Sequence, residues 1–205
     1  MTKIKLCGMM SLQDAETAND IMPDYVGFVF WSKSRRNIDI ETARMLRQTL
    51  RSDIMAVGVF VNEEADMIAT MYRDGLINMA QLHGNEDEDY IKSLRRMADI
   101  PIIKAFRIRS KADLDTAQCS TADYILLDAG MGDGKTFDWE WLKNFDRPYI
   151  LAGGLSCENA EQAVEKLHPF GVDVSSGIET DGLKDPEKMR RFAANAAHVI
   201  TRGEI

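Results

Sequence analysis

Cysteine is scarce and scattered. Cys7, Cys119 and Cys157 fall far apart and form no C-x-x-C pair, which excludes both a disulfide framework and a thiolate metal site. All three are expected as reduced thiols. The three histidines, His83, His168 and His198, share no metal-ligand spacing, so no metal is expected. Positive charge is also in deficit: 25 Lys and Arg against 33 Asp and Glu leave a formal charge of −8. That balance argues against a sequence-independent grip on nucleic acid, where clustered cations supply the affinity. An anionic ligand must then be held by local groups. No stretch approaches the ~20 apolar residues that cross a bilayer, so no membrane partner is expected. The opening MTKIKLCG has neither the apolar run nor the cleavage site of a signal peptide, and a cytoplasmic location follows as the expectation. Linkers, short repeats and low-complexity segments are missing as well. What remains is one globular domain of 205 residues, 45% hydrophobic and 28% charged.

Short β-branched runs alternate with longer helical patterns, the signature of successive βα units around a parallel sheet. The runs predict strands at 3–7, 25–30, 54–61, 78–82, 102–106, 124–128, 149–152 and 172–175. Helical stretches between them are punctuated by expected N-caps at Ser11, Asn62 and Ser156 and an expected C-cap at Gly75. Eight strands, seven intervening helices and a last helix over 186–200 fit a closed (β/α)₈ barrel, a TIM barrel, better than an open doubly wound sheet. The stretch 130–134 is too short to divide domains and is expected as a mobile βα loop.

Such barrels do their chemistry at the carboxyl ends of the strands. The polar residues closing each predicted strand are Cys7, Arg36 in the following loop, Asn62, His83, Lys104 to Arg107, Asp128, Gly153 with Gly154, and Ser175 with Ser176. Cys7 reads two ways: a small buried hydrophobe, as free cysteines commonly are, or a thiol at the mouth able to act as base or nucleophile once cations or helix N-termini lower its pKa. Asp128 ends the apolar run YILL; a cap or loop hydrogen bond is one reading, and a general acid whose pKa is raised by an apolar wall is the other. The glycines of LAGGL and of VDVSSGIE are either tight turns or a phosphate cradle of backbone N–H groups with a short helix N-terminus. Of Arg35 and Arg36, one suits a carboxylate and the other is a solvated charge. His83 is a loop hydrogen-bonder or a substrate contact, while His168 and His198 belong to the outer helices.

The segments KLCG, GFVFWSKSRRNI, VGVFVN, QLHG, LLDAGMGDGKTFDW, LAGGLSCENA and GVDVSSGIE with DGLKD, in this order, resemble the phosphoribosylanthranilate isomerase family of tryptophan biosynthesis nearly end to end. The resemblance implies an Amadori rearrangement of a phosphorylated aminoaldose to an aminoketose, without cofactor or metal. It assigns Asp128 as general acid and Cys7 as general base, with Arg36 holding the anthranilate carboxylate. His83 and Asp173 would line the site, and the backbone at Gly153, Gly154, Ser176 and Gly177 would hold the phosphate. Arg36 and backbone dipoles are the evident stabilisers of a Cys7 thiolate. Three departures stand out: Arg35 and Cys157 where the family usually has proline, and Met131, Gly132, Asp133 and Gly134 in place of a G-G-T-G run. The histidine-pathway aminoaldose isomerases use two aspartates, against which Cys7 speaks. Indole-glycerol-phosphate synthases rely on strand-end lysines and glutamates not found here as a comparable set. A barrel that only binds its ligand is disfavoured by intact Cys7 and Asp128. A monomer is the default expectation, with a homodimer as the alternative.

Overall fold

The computed structural model describes residues 2–128 and 139–197. Eight parallel strands close into a barrel in chain order: β1 (Lys3–Cys7), β2 (Tyr25–Phe30), β3 (Met55–Phe60), β4 (Met79–Leu82), β5 (Ile102–Arg107), β6 (Tyr124–Asp128), β7 (Tyr149–Ala152) and β8 (Gly171–Val174), with β8 pairing back to β1. Each predicted strand is present, its ends displaced by at most a residue. Around them lie α1 (Leu12–Ile21), α2 (Ile40–Thr49), α3 (Ala65–Arg73), α4 (Glu88–Met97), α5 (Lys111–Gln118), α6 (Ala160–Leu167) and α7 (Pro186–Ala197). Among the described residues no helix is long and apolar enough to cross a membrane.

Alternation along each strand sorts its side chains between two cores. Ile4 and Leu6, Val26 and Phe28, and Ala80 and Leu82 face the helices and join the larger cluster. The intervening positions Tyr25, Val57, Met79, Ile103, Leu126 and Ile150 fill the barrel interior. Since both faces are covered, the strands read as continuous apolar runs. At the amino ends, one polar residue preceding each of three strands ties down the strand before it. Asp24 accepts from the Ile4 N–H, Asn78 from Ala56, and Asp123 from Ile102, at 2.8–2.9 Å. The amino-end face thus spends its polar groups on sheet closure.

Helix boundaries depart from the sequence expectations where a side chain found a better partner. Ser11 does cap α1, in a reciprocal box with Asp14, and Gly75 (φ +70) ends α3, with the Leu76 N–H reaching back to the Met71 carbonyl. Asn62 is not a cap: α3 starts after Glu64. Asn62 is instead left-handed (φ +52), its Oδ1 accepting from the Asn85 N–H while its own N–H donates to Glu86. Ser156 likewise caps only a turn, accepting from the Glu158 N–H, and Asn159 occupies the N-cap position of α6. Between β6 and β7 the described residues carry a 3₁₀ helix (Trp139–Asn144), not the expected α-helix. The connection after β8 holds a two-stranded hairpin, β9 (Glu179–Thr180) with β10 (Leu183–Lys184); a short helix N-terminus was one of the two readings of its glycine turn. The stretch 130–134, with Asp133, and His198 lie outside the described residues. His168 is exposed at the left-handed end of α6.

Candidate active site

Strand alternation delivers a defined set of side chains to the carboxyl-end mouth. Cys7, Gln81, His83, Asp128, Asp173 and the start of the Gly153–Gly154 turn line one cleft of about 250 Å³, together with Arg36, Ser175 and Ser176. A larger cleft of about 780 Å³ lies beside it, along β5 and the α4 and α5 ends. There the ion pair of Lys104 with Glu86 (2.9 Å) is nearly sealed from solvent. Lys104 also donates to the Gly84 carbonyl at 2.8 Å, and Glu86 accepts from the Asn62 and Gly84 N–H groups. Lys104 and Asn62, read from the sequence as mouth residues, therefore brace two loops.

The first wall is built on β1. Cys7 is 7% exposed, and a methyl group on its register partner Gly27 would lie 2.6 Å from the thiol sulfur. Gly27 is the space in which the thiol sits. Two residues earlier on the same face, Lys5 is buried and pairs at 2.9 Å with Asp173, directly across from it on β8. Burial pushes the Cys7 thiol above its ordinary range, Lys5 and Lys184 pull it down, and Asp173 adds to the rise; the net direction is upward. Lys5 is itself pushed down by burial but raised further by Asp173 and Cys7. The expectation that Arg36 and backbone dipoles would be the thiolate's stabilisers needs correcting: the cations acting most strongly on the sulfur are Lys5 and Lys184.

Arg36 reaches the mouth, but its fork is engaged. Its Nε donates to Glu179 Oε1 at 2.6 Å and its Nη2 to Oε2 at 2.9 Å. Arg35 donates to Oε2 at 2.7 Å and Lys184 to Oε1 at 2.7 Å. Arg35 is 60% exposed yet paired, so neither arginine is merely a solvated charge. Although burial opposes it, hydrogen bonds from Arg36 and Lys184 hold the Glu179 carboxyl down to about 2. Three cations against one carboxylate leave this corner electropositive in a chain of charge −8. Gly8 (φ +83) makes room for it, since a methyl group there would lie 2.6 Å from the Arg36 stem.

On the opposite wall, Asp128 ends β6 with its Oδ2 3.4 Å from His83 Nε2. The Gln81 amide nitrogen lies 2.8 Å from His83 Nδ1. With the amide as donor, Nδ1 accepts and the ring proton sits on Nε2, facing Asp128. The turns after β7 and β8 form the cleft's third side. Gly153 and Gly154 have φ of +84 and +66, and a parallel bridge joins Ser156 to Gly177. A methyl group on Gly177 would lie 2.0 Å from the Leu155 carbonyl oxygen, so Gly177 serves by letting the two loops meet.

Residues 4–195 match the family model for N-(5′-phosphoribosyl)anthranilate (PRA) isomerase. The chain belongs to this family. The N-(5′-phosphoribosyl)anthranilate isomerase of Endomicrobium trichonymphae is 43% identical over 194 residues, covering 92% of this chain and 95% of that protein. The crystal structure of phosphoribosyl anthranilate isomerase from Thermotoga maritima matches with a TM-score of 0.88 at 37% identity, covering 96% of this chain and 98% of its own. A further solved phosphoribosyl anthranilate isomerase matches with a TM-score of 0.84 at 37% identity, over 96% of this chain and 98% of its own. It is a complex with reduced 1-(o-carboxyphenylamino)-1-deoxyribulose 5-phosphate.

Within this isomerase, two of the sequence departures have structural work. Arg35 joins the Glu179 cluster, and the Cys157 thiol donates to the Lys188 carbonyl of α7 at 3.2 Å. Lys5, Lys184, Glu179, Gln81 and Gly27 were missed as site residues; counting every second position from Cys7, His83 and Asp173 would have found Lys5 and Gln81.

Gly27→Ala should leave the fold intact at a cost of about 1–3 kcal/mol, yet lower kcat by about 10–10²-fold through displacement of the thiol. Steady-state kinetics beside urea melts separate the two effects, and an unchanged kcat would show that the thiol's position is unimportant. Glu179 adds a pH signature. Its folded-state pKa of about 2 lies below the roughly 4.3 of a free glutamate. The stabilisation it gives is therefore present above pH ~4.3 and lost as pH falls through about 2. Acid unfolding of Glu179→Gln should lack that part of the wild-type slope.

Proposed function

We propose that the chain catalyses the Amadori rearrangement of N-(5′-phosphoribosyl)anthranilate, an aminoaldose phosphate, in tryptophan biosynthesis, with Asp128 as general acid and Cys7 as general base. The observation carrying this reading is that Cys7 on β1 and Asp128 on β6 line one cleft from different walls, with cations beside it and glycine turns at its edge. No cofactor enters the scheme.

The steps balance with these two groups alone. Asp128 gives a proton to the ribose ring oxygen, the C1′–O bond breaks, and the amine lone pair forms a C1′=N iminium. That positive nitrogen acidifies the C2′ proton. Cys7, as thiolate, takes it, and the C2′–H electrons form a C1′=C2′ bond while the nitrogen becomes neutral. The enol then loses its hydroxyl proton and gains one at C1′, giving the aminoketose and returning both groups to their starting protonation. One group must give a proton while the other takes one, and different environments for the two serve that division. The His83 Nε2–H beside Asp128 orients its carboxyl group.

The substrate's charged ends match the cleft's two sides. The electropositive corner of Arg36, Arg35 and Lys184 supports a carboxylate at Arg36, whose Nη1 is not among the atoms bound to Glu179. The backbone of Gly153, Gly154, Ser176 and Gly177 supports the phosphate, with the start of α6 nearby. Asp173 serves through Lys5.

Cys7→Ala and Asp128→Asn are each expected to lower kcat by about 10²–10⁴ while binding of a reduced product analogue persists. Loss of the fluorescence of freshly made substrate, in metal-free buffer, reports the rate. Full activity in either variant would sink the assignment. In the same assay Arg36→Ala should raise KM chiefly, and an unchanged kcat/KM would remove Arg36 from the site.

A further inference from the structure

Lys5 is a charged side chain in a barrel interior whose floor is packed with apolar groups. Its side chain is 1% exposed, and that of its partner Asp173 is 9% exposed. Below them lie Tyr25, Val57, Met79, Ile103 and Ile150. Such a pair adds little to stability: taking two ions out of water is costly, and a well-packed apolar pair is commonly as stable or more so. The pair also sits one step beneath the thiol, because residues 5 and 7 share a face of β1, and the ammonium's charge draws the thiol's pKa down against the rise that burial causes.

We infer that Lys5, balanced by Asp173, sets the charge state of Cys7, as a positioning residue for the proposed base. This inference rests on the reading of Cys7 as that base. When the thiol is protonated, Asp173 is the ammonium's counterion among the described residues. When the thiol ionises, the ammonium serves two anions, and the thiolate forms in a buried place without becoming an isolated buried charge. Asp173 keeps Lys5 protonated, and by competing for it stops the thiolate from becoming too stable, and so too weak a base. Other groups face the sulfur or its cleft. Lys184 of β10 approaches from the hairpin, donating to the Ser175 carbonyl and to Glu179, while Ser175 donates to the Cys7 carbonyl. Arg36 comes from the loop after β2, His83 directly follows β4, and Asp128 ends β6. Of these, Lys5 and Asp173 form the one oppositely charged pair wholly inside the barrel wall among the described residues lining the thiol.

The test measures the pH midpoint of Cys7 alkylation by iodoacetamide on the intact protein, read on the Cys7 peptide by mass spectrometry so that Cys119 and Cys157 do not contribute. Lys5→Met should raise the midpoint by about 1 pH unit or more, a tenfold loss of thiolate below it, and Asp173→Asn should lower it by a similar amount. Lys5→Arg should keep it near the wild-type value. Both charge-removing variants disturb the same packing, so a purely structural role would shift them alike; opposite signs are the signature of charge. Midpoints that stay put, or move the same way, in folded variants overturn the inference. Should Lys5→Met fail to fold, the direction seen in Asp173→Asn decides. Parallel kcat/KM profiles keep the two levels apart. Midpoints that move oppositely while the profiles stay fixed support the coupling and refute Cys7 as base.

Discussion

The active-site geometry depends on how the barrel closes. β1 lies between β2 and β8, and its register against them places Lys5 opposite Asp173 and Cys7 opposite Gly27. Side chains on a strand alternate between faces, so a one-residue slip would turn both Lys5 and Cys7 out toward the helices and bring Ile4 and Leu6 inward. The register is held from both sides of the sheet. Ile4 and Leu6 are embedded in the helix-facing core, and Asp24 ties the start of β1 through the Ile4 N–H and the Lys3 ammonium. The thiol's position is thus a consequence of sheet closure at the amino end as much as of anything at the mouth.

Charge is distributed in the same economical way. The chain carries −8 overall, which repels anions at long range, yet three cations converge on Glu179 at the mouth. Glu179 organises that corner by neutralising one unit of charge while fixing the orientation of three donors. Without a carboxylate there, Arg36 and Lys184 would repel each other. Burial pushes Lys184 down on balance, and the Glu179 carboxylate opposes that fall. In the proposed reading, selectivity for an anionic substrate then comes from oriented donors in a small cleft more than from the chain's net charge.

Much of this was legible in the sequence because barrels repeat a simple unit. The eight apolar runs, the strand-end polar residues and the ordered motifs placed Cys7, Asp128, Arg36, His83 and the glycine turns at one end. Lys5 went unread because KIKLC looks like an apolar strand with ordinary surface lysines. Only the alternation, extended one step back from Cys7, turns Lys5 inward while Lys3 stays at the rim. Glu179 and Lys184 were unreadable for a different reason. Their importance lies in a hairpin of two-residue strands that no periodicity announces. Caps failed where Asn62 and Ser156 had more than one backbone donor within reach, a competition settled by the neighbouring loops.

Burial sets the thiol and the carboxylate different problems. Cys7 is deep, and desolvation raises its pKa, which would strengthen it as the proposed base while depleting its thiolate. Asp128 is less buried, at the rim and beside an imidazole N–H. The deeper group, as the proposed base, therefore needs compensating cations, which Lys5 and Lys184 supply. The interior accordingly holds an ion pair where an apolar pair would pack at least as well, next to the sulfur and above an apolar floor. A polar group kept in such a place despite its desolvation cost is best understood through the atom it faces, and the atom that the Lys5 and Asp173 pair faces is the Cys7 sulfur.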